Sequence, residues 1–273
     1  MQELTLKELQ AVSLGILRGF HVFCVENGMR YSLTGGTLIG AIRHKGFIPW
    51  DDDVDVMMPR PDFNRFCSSY KSDSFDLIYY GNDKTAIACF ARLVDSKNVL
   101  YQTERPWTSQ VSGAWIDIFP VDGIDETQES FSSRYAKLCM WRDFVYKFRR
   151  QNHHIARGDS LWSVCKTIVA KVISINGLIP SIIVRRMVAD ISRYDYESSP
   201  AVSQYSDFID GPLIYDKNDF ASYIQVEFEG SMFFAIVGYD NLLRLIYGDY
   251  MELPPIEDRV PKQYWIHFYW KEA

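Results

Sequence analysis

Residues 53 to 57 read Asp-Val-Asp-Val-Met, and this strict alternation of charge and hydrocarbon is the pattern of a half-buried strand. Side chains alternate faces on a strand, so Asp53 and Asp55 are expected to point the same way, about 7 Å apart. Val54 and Val56 then face a core. Two carboxylates held side by side repel each other unless a cation lies between them. Mg²⁺ or Mn²⁺ answers that need, being hard, oxygen-seeking and short-bonded. Such an ion can bridge phosphate oxygens and neutralise the charge of phosphoryl transfer.

The residues just upstream suit the same chemistry. The whole segment is GGTLIGAIRHKGFIPWDDDVDV, residues 35 to 56. Gly35 and Gly36 lack Cβ atoms, so a phosphate chain can approach their backbone. Thr34 to Thr37 reads as a tight turn, and a helix beginning near Thr37 offers free N–H groups and a positive dipole end to an anion. Arg43, His44 and Lys45 add positive charge, making Gly35, Gly36, Thr37, Arg43 and Lys45 candidate phosphate-binding residues. An EF-hand is excluded. Asp51, Asp53 and Asp55 match its first ligand spacing, but Val56 stands where the turn glycine belongs and Asp62 where the glutamate does.

A third carboxylate would complete the metal site or act as base on an acceptor hydroxyl. Asp117, in WIDIFPVDG, is the candidate, because a charge in an apolar strand is unfavourable without a metal or donor. Asp122 reads as a turn residue before Gly123. Arg92, in ACFARLVDS, either braces a donor phosphate or pairs with a nearby acid.

Around this segment the pattern is α+β. Thr5 and Glu8 form a capping box with Leu4 and Leu9 as its staple. Leu9, Val12, Ile16, Phe20 and Phe23 then recur at helical spacing until Asn27-Gly28. Short strands are expected at 30–33, 76–80, 86–94, 115–119, 223–228 and 231–237, with a last helix at 240–247 ending on Gly248. The expected organisation is a catalytic core over 1–127, a helical lobe over 128–200 and a segment over 201–273 completing the core and cleft, or one continuous domain.

At 47% apolar residues there is material for a real core, and a net charge of −6 argues against a general nucleic-acid binder. The cysteines, Cys24, Cys67, Cys89, Cys139 and Cys165, have no C-x-x-C spacing and are expected to be reduced. No secretory signal is expected at the N-terminus. The apolar run 161–188 is too interrupted to span a bilayer; it reads equally as buried helix packing or as a membrane-surface segment. Arg142, Lys147, Arg149, Arg150, His153, His154 and Arg157 read first as a solvated helix face, with attraction to an anionic glycan or lipid as the functional reading. Aromatics crowd the C-terminus as QYWIHFYW. There His267 reads as an ordinary packed histidine, with a phosphate or metal contact as the alternative. Trp107, Trp115, Tyr239, Tyr247, Tyr250, Tyr264, Trp265, Phe268, Tyr269 and Trp270 supply faces able to hold a quaternary ammonium.

Taken together, GGTLIGAIRHKGFIPWDDDVDV, WIDIFPVD at 115–122 and YGDYMELPP at 247–255 resemble, in order, the motif blocks of the LicD family of phosphocholine transferases. The resemblance implies a nucleotidyltransferase-like mixed sheet with flanking helices and a helical insertion. It places Gly35, Gly36 and Thr37 in the G-G-[ST] turn, Asp53 and Asp55 in the metal-binding pair, and Asp117 as the third carboxylate. The implied activity is metal-dependent transfer of phosphocholine from CDP-choline to a sugar hydroxyl of a bacterial surface glycan, teichoic acid or lipopolysaccharide, releasing CMP. A polyol phosphate from another nucleotide donor is one alternative; a non-catalytic nucleotide-binding scaffold is another. The expected partners are the nucleotide donor and a glycan or lipid-linked glycan. The expected location is the cytoplasm, with peripheral contact at the inner face of the membrane.

Overall fold

The computed structural model describes residues 1–84, 86–103, 113–149, 178–205, 211–261 and 266–272. The first helix, α1 (Leu6–Glu26), starts and stops where its sequence signals lie. Thr5 and Glu8 form both halves of the capping box, Asn27 caps the other end, and Gly28 takes the left-handed φ of +57°. Its stripe of Ile16, Leu17, Phe20 and Cys24 is fully buried in the main core. The helix is long and apolar enough by length and composition to cross a bilayer, but here that apolar stripe packs on the sheet.

The main sheet is built on one long strand. In chain order its first members are β1 (Ser32–Leu33), β2 (Asp55–Pro59), β3 (Asp76–Ile78) and β4 (Ala91–Asp95). The spine, β6 (Ala114–Ile124), is buried throughout its 11 residues. It runs parallel to β2 and antiparallel to β4, and the sheet order is β1-β2-β6-β4-β3. Farther along, β6 pairs with β7 (Ala201–Gln204), which pairs with β8 (Tyr215–Asp216). A strand paired on both edges and covered on both faces reads as a continuous apolar run. That is why its second half, including Pro120, escaped the expected 115–119 boundary.

Helices flank this sheet. α2 (Gly35–His44) and α3 (Arg60–Ser69) bracket β2, and α3 carries Pro61 in its first turn, where its missing N–H has no helical partner to lose. α4 (Gln128–Arg149) and α5 (Leu178–Ile191) pack together through Phe131, Leu138, Val145, Val184, Met187 and Ile191. Buried packing therefore accounts for the described part of the run 161–188; residues 161–177 lie outside the described residues.

The hairpin β9 (Tyr223–Phe228) and β10 (Ser231–Ile236) formed as expected, followed by α6 (Tyr239–Tyr247). A second small sheet pairs β5 (Val99–Thr103) with β11 (Ile266–Trp270). Neither strand stood out in sequence, because each gains its partner only across the whole length of the chain. Cys24, Cys67, Cys89 and Cys139 are free thiols, and Cys165 lies outside the described residues.

Candidate active site

The site forms where α2 begins beside β2. Gly35 is already in α2, so the expected turn over 34–37 is in fact the helix start. Its φ of +56° lies in the left-handed region that glycine enters without a Cβ clash. The Thr34 N–H donates to the Asp55 carbonyl at 3.1 Å, and the Asp55 N–H donates to the Thr37 hydroxyl at 2.9 Å. These two bonds join the first turn of α2 to the first residue of β2.

Carboxylates occupy the space above the glycines. A Cβ on Gly35 would stand 3.0 Å from Asp55 Oδ2, and one on Gly36 only 2.6 Å from Asp51 Oδ2. Asp51, Asp52 and Asp53 each offer one oxygen, all within 4.8 Å of one another. The Asp51 backbone is held from two sides, its N–H by the Ile48 carbonyl and its carbonyl by the Gln10 side chain of α1. A close set of half-exposed carboxylate oxygens is the donor set that a hard divalent cation takes. The residues present therefore fit Mg²⁺ or Mn²⁺.

One expectation needs correction. Asp53 lies in the lead-in, because β2 begins only at Asp55. Asp53 therefore precedes the strand proper, and its carboxylate lies close to those of Asp51 and Asp52. The reason is local: Val54 gives its carbonyl to Asp117, but the ladder to β6 starts one residue later.

Asp117 is Asp55's register partner on β6, and Arg92 is Asp117's partner on β4. Paired positions on neighbouring strands share a face, so the sheet carries a row Asp55–Asp117–Arg92. Arg92 Nε donates to Asp117 Oδ1 at 2.6 Å, and Trp115 Nε1 to Oδ2 at 3.3 Å. Of the two readings for Arg92, pairing with an acid is the one realised. The guanidinium also lies 4.7 Å over the Trp115 ring, which in turn meets Tyr101 of β5 and Phe268 of β11, each 5.6 Å away. The C-terminal aromatics thus brace the back of the carboxylate row. His267 is not packed inside; its Nδ1 meets Glu3 Oε1 at 2.7 Å near the surface.

Asp122 also departs from its expected place. It is an interior strand residue, completely buried, and both its oxygens accept from Arg60, at 2.6 and 2.7 Å. Five residues from Asp117 on one strand, it faces the opposite side of the sheet. Asp122 accordingly belongs to the scaffold.

Arg43 and Lys45 are not brought to the glycines. The rise of a helix puts Arg43 about 12 Å along the axis from Gly35. There its Nη1 donates to the carbonyls of Tyr250 and Glu252, at 2.6 and 2.9 Å. Lys45 is the left-handed stop of α2 and is exposed. Of the basic cluster on the helical middle, Arg142 pairs with Asp143. The side chains of Lys147 and Arg149, and residues 150–157, lie outside what is described, as do Trp107, Tyr264 and Trp265.

Several residues meet at the site without a sequence signal that puts them there. Asp51 and Asp52 belong to the acidic run, but only Asp51 enters the sequence reading, through the EF-hand spacing. Tyr247 brings its hydroxyl 3.7 Å from the Cβ position of Gly35. Arg259 lies 5.7 Å over the ring of Trp50, next to Asp51. The last two come from the C-terminal block, some 200 residues downstream, and no local signal ties them to the glycines.

A family model described as LicD/FKTN/FKRP, nucleotidyltransferase domain, matches residues 28–153. The chain is 32% identical over 270 residues to the lipopolysaccharide cholinephosphotransferase LicD of Haemophilus influenzae, covering 96% of this chain and 97% of that protein. A shorter match, 30% over 94 residues, covers 33% of this chain and 29% of an uncharacterized protein of Rickettsia typhi. A chain so matched along its length, with carboxylates gathered over a glycine-opened helix, is a transferase of a phosphate-containing group. It belongs to the LicD family.

Proposed function

We propose that this enzyme moves phosphocholine from CDP-choline to a sugar hydroxyl of a lipopolysaccharide, releasing CMP. The acceptor class and head group follow the name of the Haemophilus relative. The observation that carries the chemistry is the meeting of Asp51 and Asp55 over Gly35 and Gly36. On this reading the sheet and its helices form a nucleotidyltransferase-like core.

The glycine pair lets the donor diphosphate approach the backbone, and the first N–H groups of α2 donate to its oxygens. Asp53, Asp55 and Asp117 would hold Mg²⁺ or Mn²⁺, with Asp51 and Asp52 beside them. When bound, the ion supplies charge neutralisation for the diphosphate and for the departing nucleotide. The acceptor oxygen forms a bond to the choline-bearing phosphorus, the bond from that phosphorus to the bridging oxygen of CMP breaks, and the hydroxyl proton passes to Asp117 and then to water. Arg92 keeps the Asp117 carboxylate aimed while it does so, through the 2.6 Å bond.

The test is Asp55→Asn, which keeps the shape of the side chain and removes its charge. Metal-dependent CMP release is expected to fall by roughly 100-fold or more, since even outer partners of a metal site cost up to about that factor. A folded variant with full activity would remove the mechanism. Calorimetry with CDP-choline and with CDP tests the head group: equal affinities would remove choline from the reading.

A further inference from the structure

The third sequence block, residues 247–255, has no chemistry assigned to it in the reading above, yet it reaches both ends of α2. At one end the Tyr247 hydroxyl sits 3.7 Å from the Cβ position of Gly35, the same point that Asp55 Oδ2 approaches to 3.0 Å. At the other, Arg43 Nη1 holds the carbonyls of Tyr250 and Glu252. The chain between is tightly shaped. Gly248, at φ +68°, stops α6 with its N–H on the Arg244 carbonyl, and the Tyr250 N–H returns to the Gly248 carbonyl at 3.0 Å. The buried Tyr250 ring is tied down by its hydroxyl on Asp240 Oδ1 at 2.7 Å.

Resting on the phosphotransfer reading, we infer that Tyr247 is a substrate-contacting residue, its phenol donating a hydrogen bond to the donor diphosphate, and that Arg43 is the positioning residue that keeps it there. The side chain suits the task. Tyr247 is 43% exposed, so its ring stands at the open side of the site while its hydroxyl reaches the glycines. A phenol adds a donor without adding charge beside a crowd of carboxylates, where a lysine or arginine would be drawn to the acids instead of the phosphate. Arg43 explains why the phenol stays in place. One guanidinium nitrogen, Nη1, holding two carbonyls fixes the turn after α6 more firmly than one contact would.

The experiment measures binding of CDP with Mg²⁺ by calorimetry, alongside CMP release from CDP-choline, for the wild type, Tyr247→Phe, Arg43→Ala and the double variant. Tyr247→Phe is expected to bind CDP–Mg²⁺ about 10-fold or more weakly, the scale of a hydrogen bond to a charged group. Arg43→Ala is expected to weaken binding in the wild-type background and to add little on top of Tyr247→Phe, because both act through one phenol. If the wild type transfers phosphocholine and Tyr247→Phe binds and turns over unchanged, the inference is overturned and the phosphotransfer reading stands. If the wild type binds CDP–Mg²⁺ and Tyr247→Phe weakens it, but no phosphocholine moves, the head-group reading falls and the contact stands. A wild type that binds no CDP–Mg²⁺ removes both. Strictly additive losses from the two substitutions would overturn the role given to Arg43, and Tyr247→Phe still decides the contact if Arg43→Ala does not fold.

Discussion

Asp117 and Asp122 are five residues apart on one strand, both nearly or wholly buried, and they do opposite work. Asp117 stands in the row with Asp55 and Arg92 and keeps slight exposure, which the role proposed for it requires. Asp122 faces Arg60 in a dry interior, where burial opposes the guanidinium's charge and the carboxylate more than restores it, holding the arginine's proton more tightly than usual. Such a pair contributes little when whole and costs much when halved. Asp122→Ala is therefore expected to lose about 3–5 kcal/mol of stability by leaving Arg60 buried and alone. Replacing both residues by apolar ones of similar size should recover most of that loss. Urea unfolding of the two variants checks it; equal losses would mean the ion pair itself, and not the orphaned charge, is what matters.

Among the elements, α1 shows how local signals and packing divide the labour. Its ends are written in a few adjacent residues: the Thr5 hydroxyl accepts the Glu8 N–H at 3.3 Å and Glu8 Oε2 accepts the Thr5 N–H at 2.8 Å. Thr5→Ala removes half of this box and is expected to cost about 1 kcal/mol, read as a lower denaturation midpoint with unchanged slope. Helix ends are legible for this reason: the bonds that stop them reach only three or four residues. The start of β2 is not, because it depends on where β6 lies. The Asp53–Met57 alternation correctly announces a strand but places its first residue two positions early.

Across the whole molecule, His21 links α1 to the β9–β10 hairpin through Tyr31, inside an aromatic cluster. His21 Nδ1 lies 2.6 Å from the Tyr31 hydroxyl, which also accepts the Phe234 N–H at 3.4 Å. The arrangement suits a phenol that donates its proton to a neutral Nδ1 while accepting the Phe234 N–H. Burial pushes the His21 pKa below its ordinary 6.5. The unfolded chain therefore takes up a proton near pH 6.5 that the folded chain resists, and stability present above that pH is lost as pH falls through the folded value. Melting temperature is expected to drop between about pH 7 and 5, and less steeply in His21→Gln. Identical slopes for the two proteins would show that His21 is not the group responsible. His44, depressed by burial and then by Arg43, contributes with the same sign and remains in both.

By itself the sequence determined the ends of α1, the strand character of the aspartate run and, through three ordered blocks, the family. All of these rest on interactions between near neighbours or on patterns of fixed period. Tertiary structure alone decided which acids meet. It put Asp51 above Gly36, grouped Asp53 with its own neighbours, set Asp122 against Arg60, joined Arg92 to Asp117, and carried Tyr247 across the molecule to Gly35. The physical reason is that a carboxylate's surroundings are set by strand register and by loops closing over the full length of the chain. Neither leaves a periodic mark on the residues that they bring together.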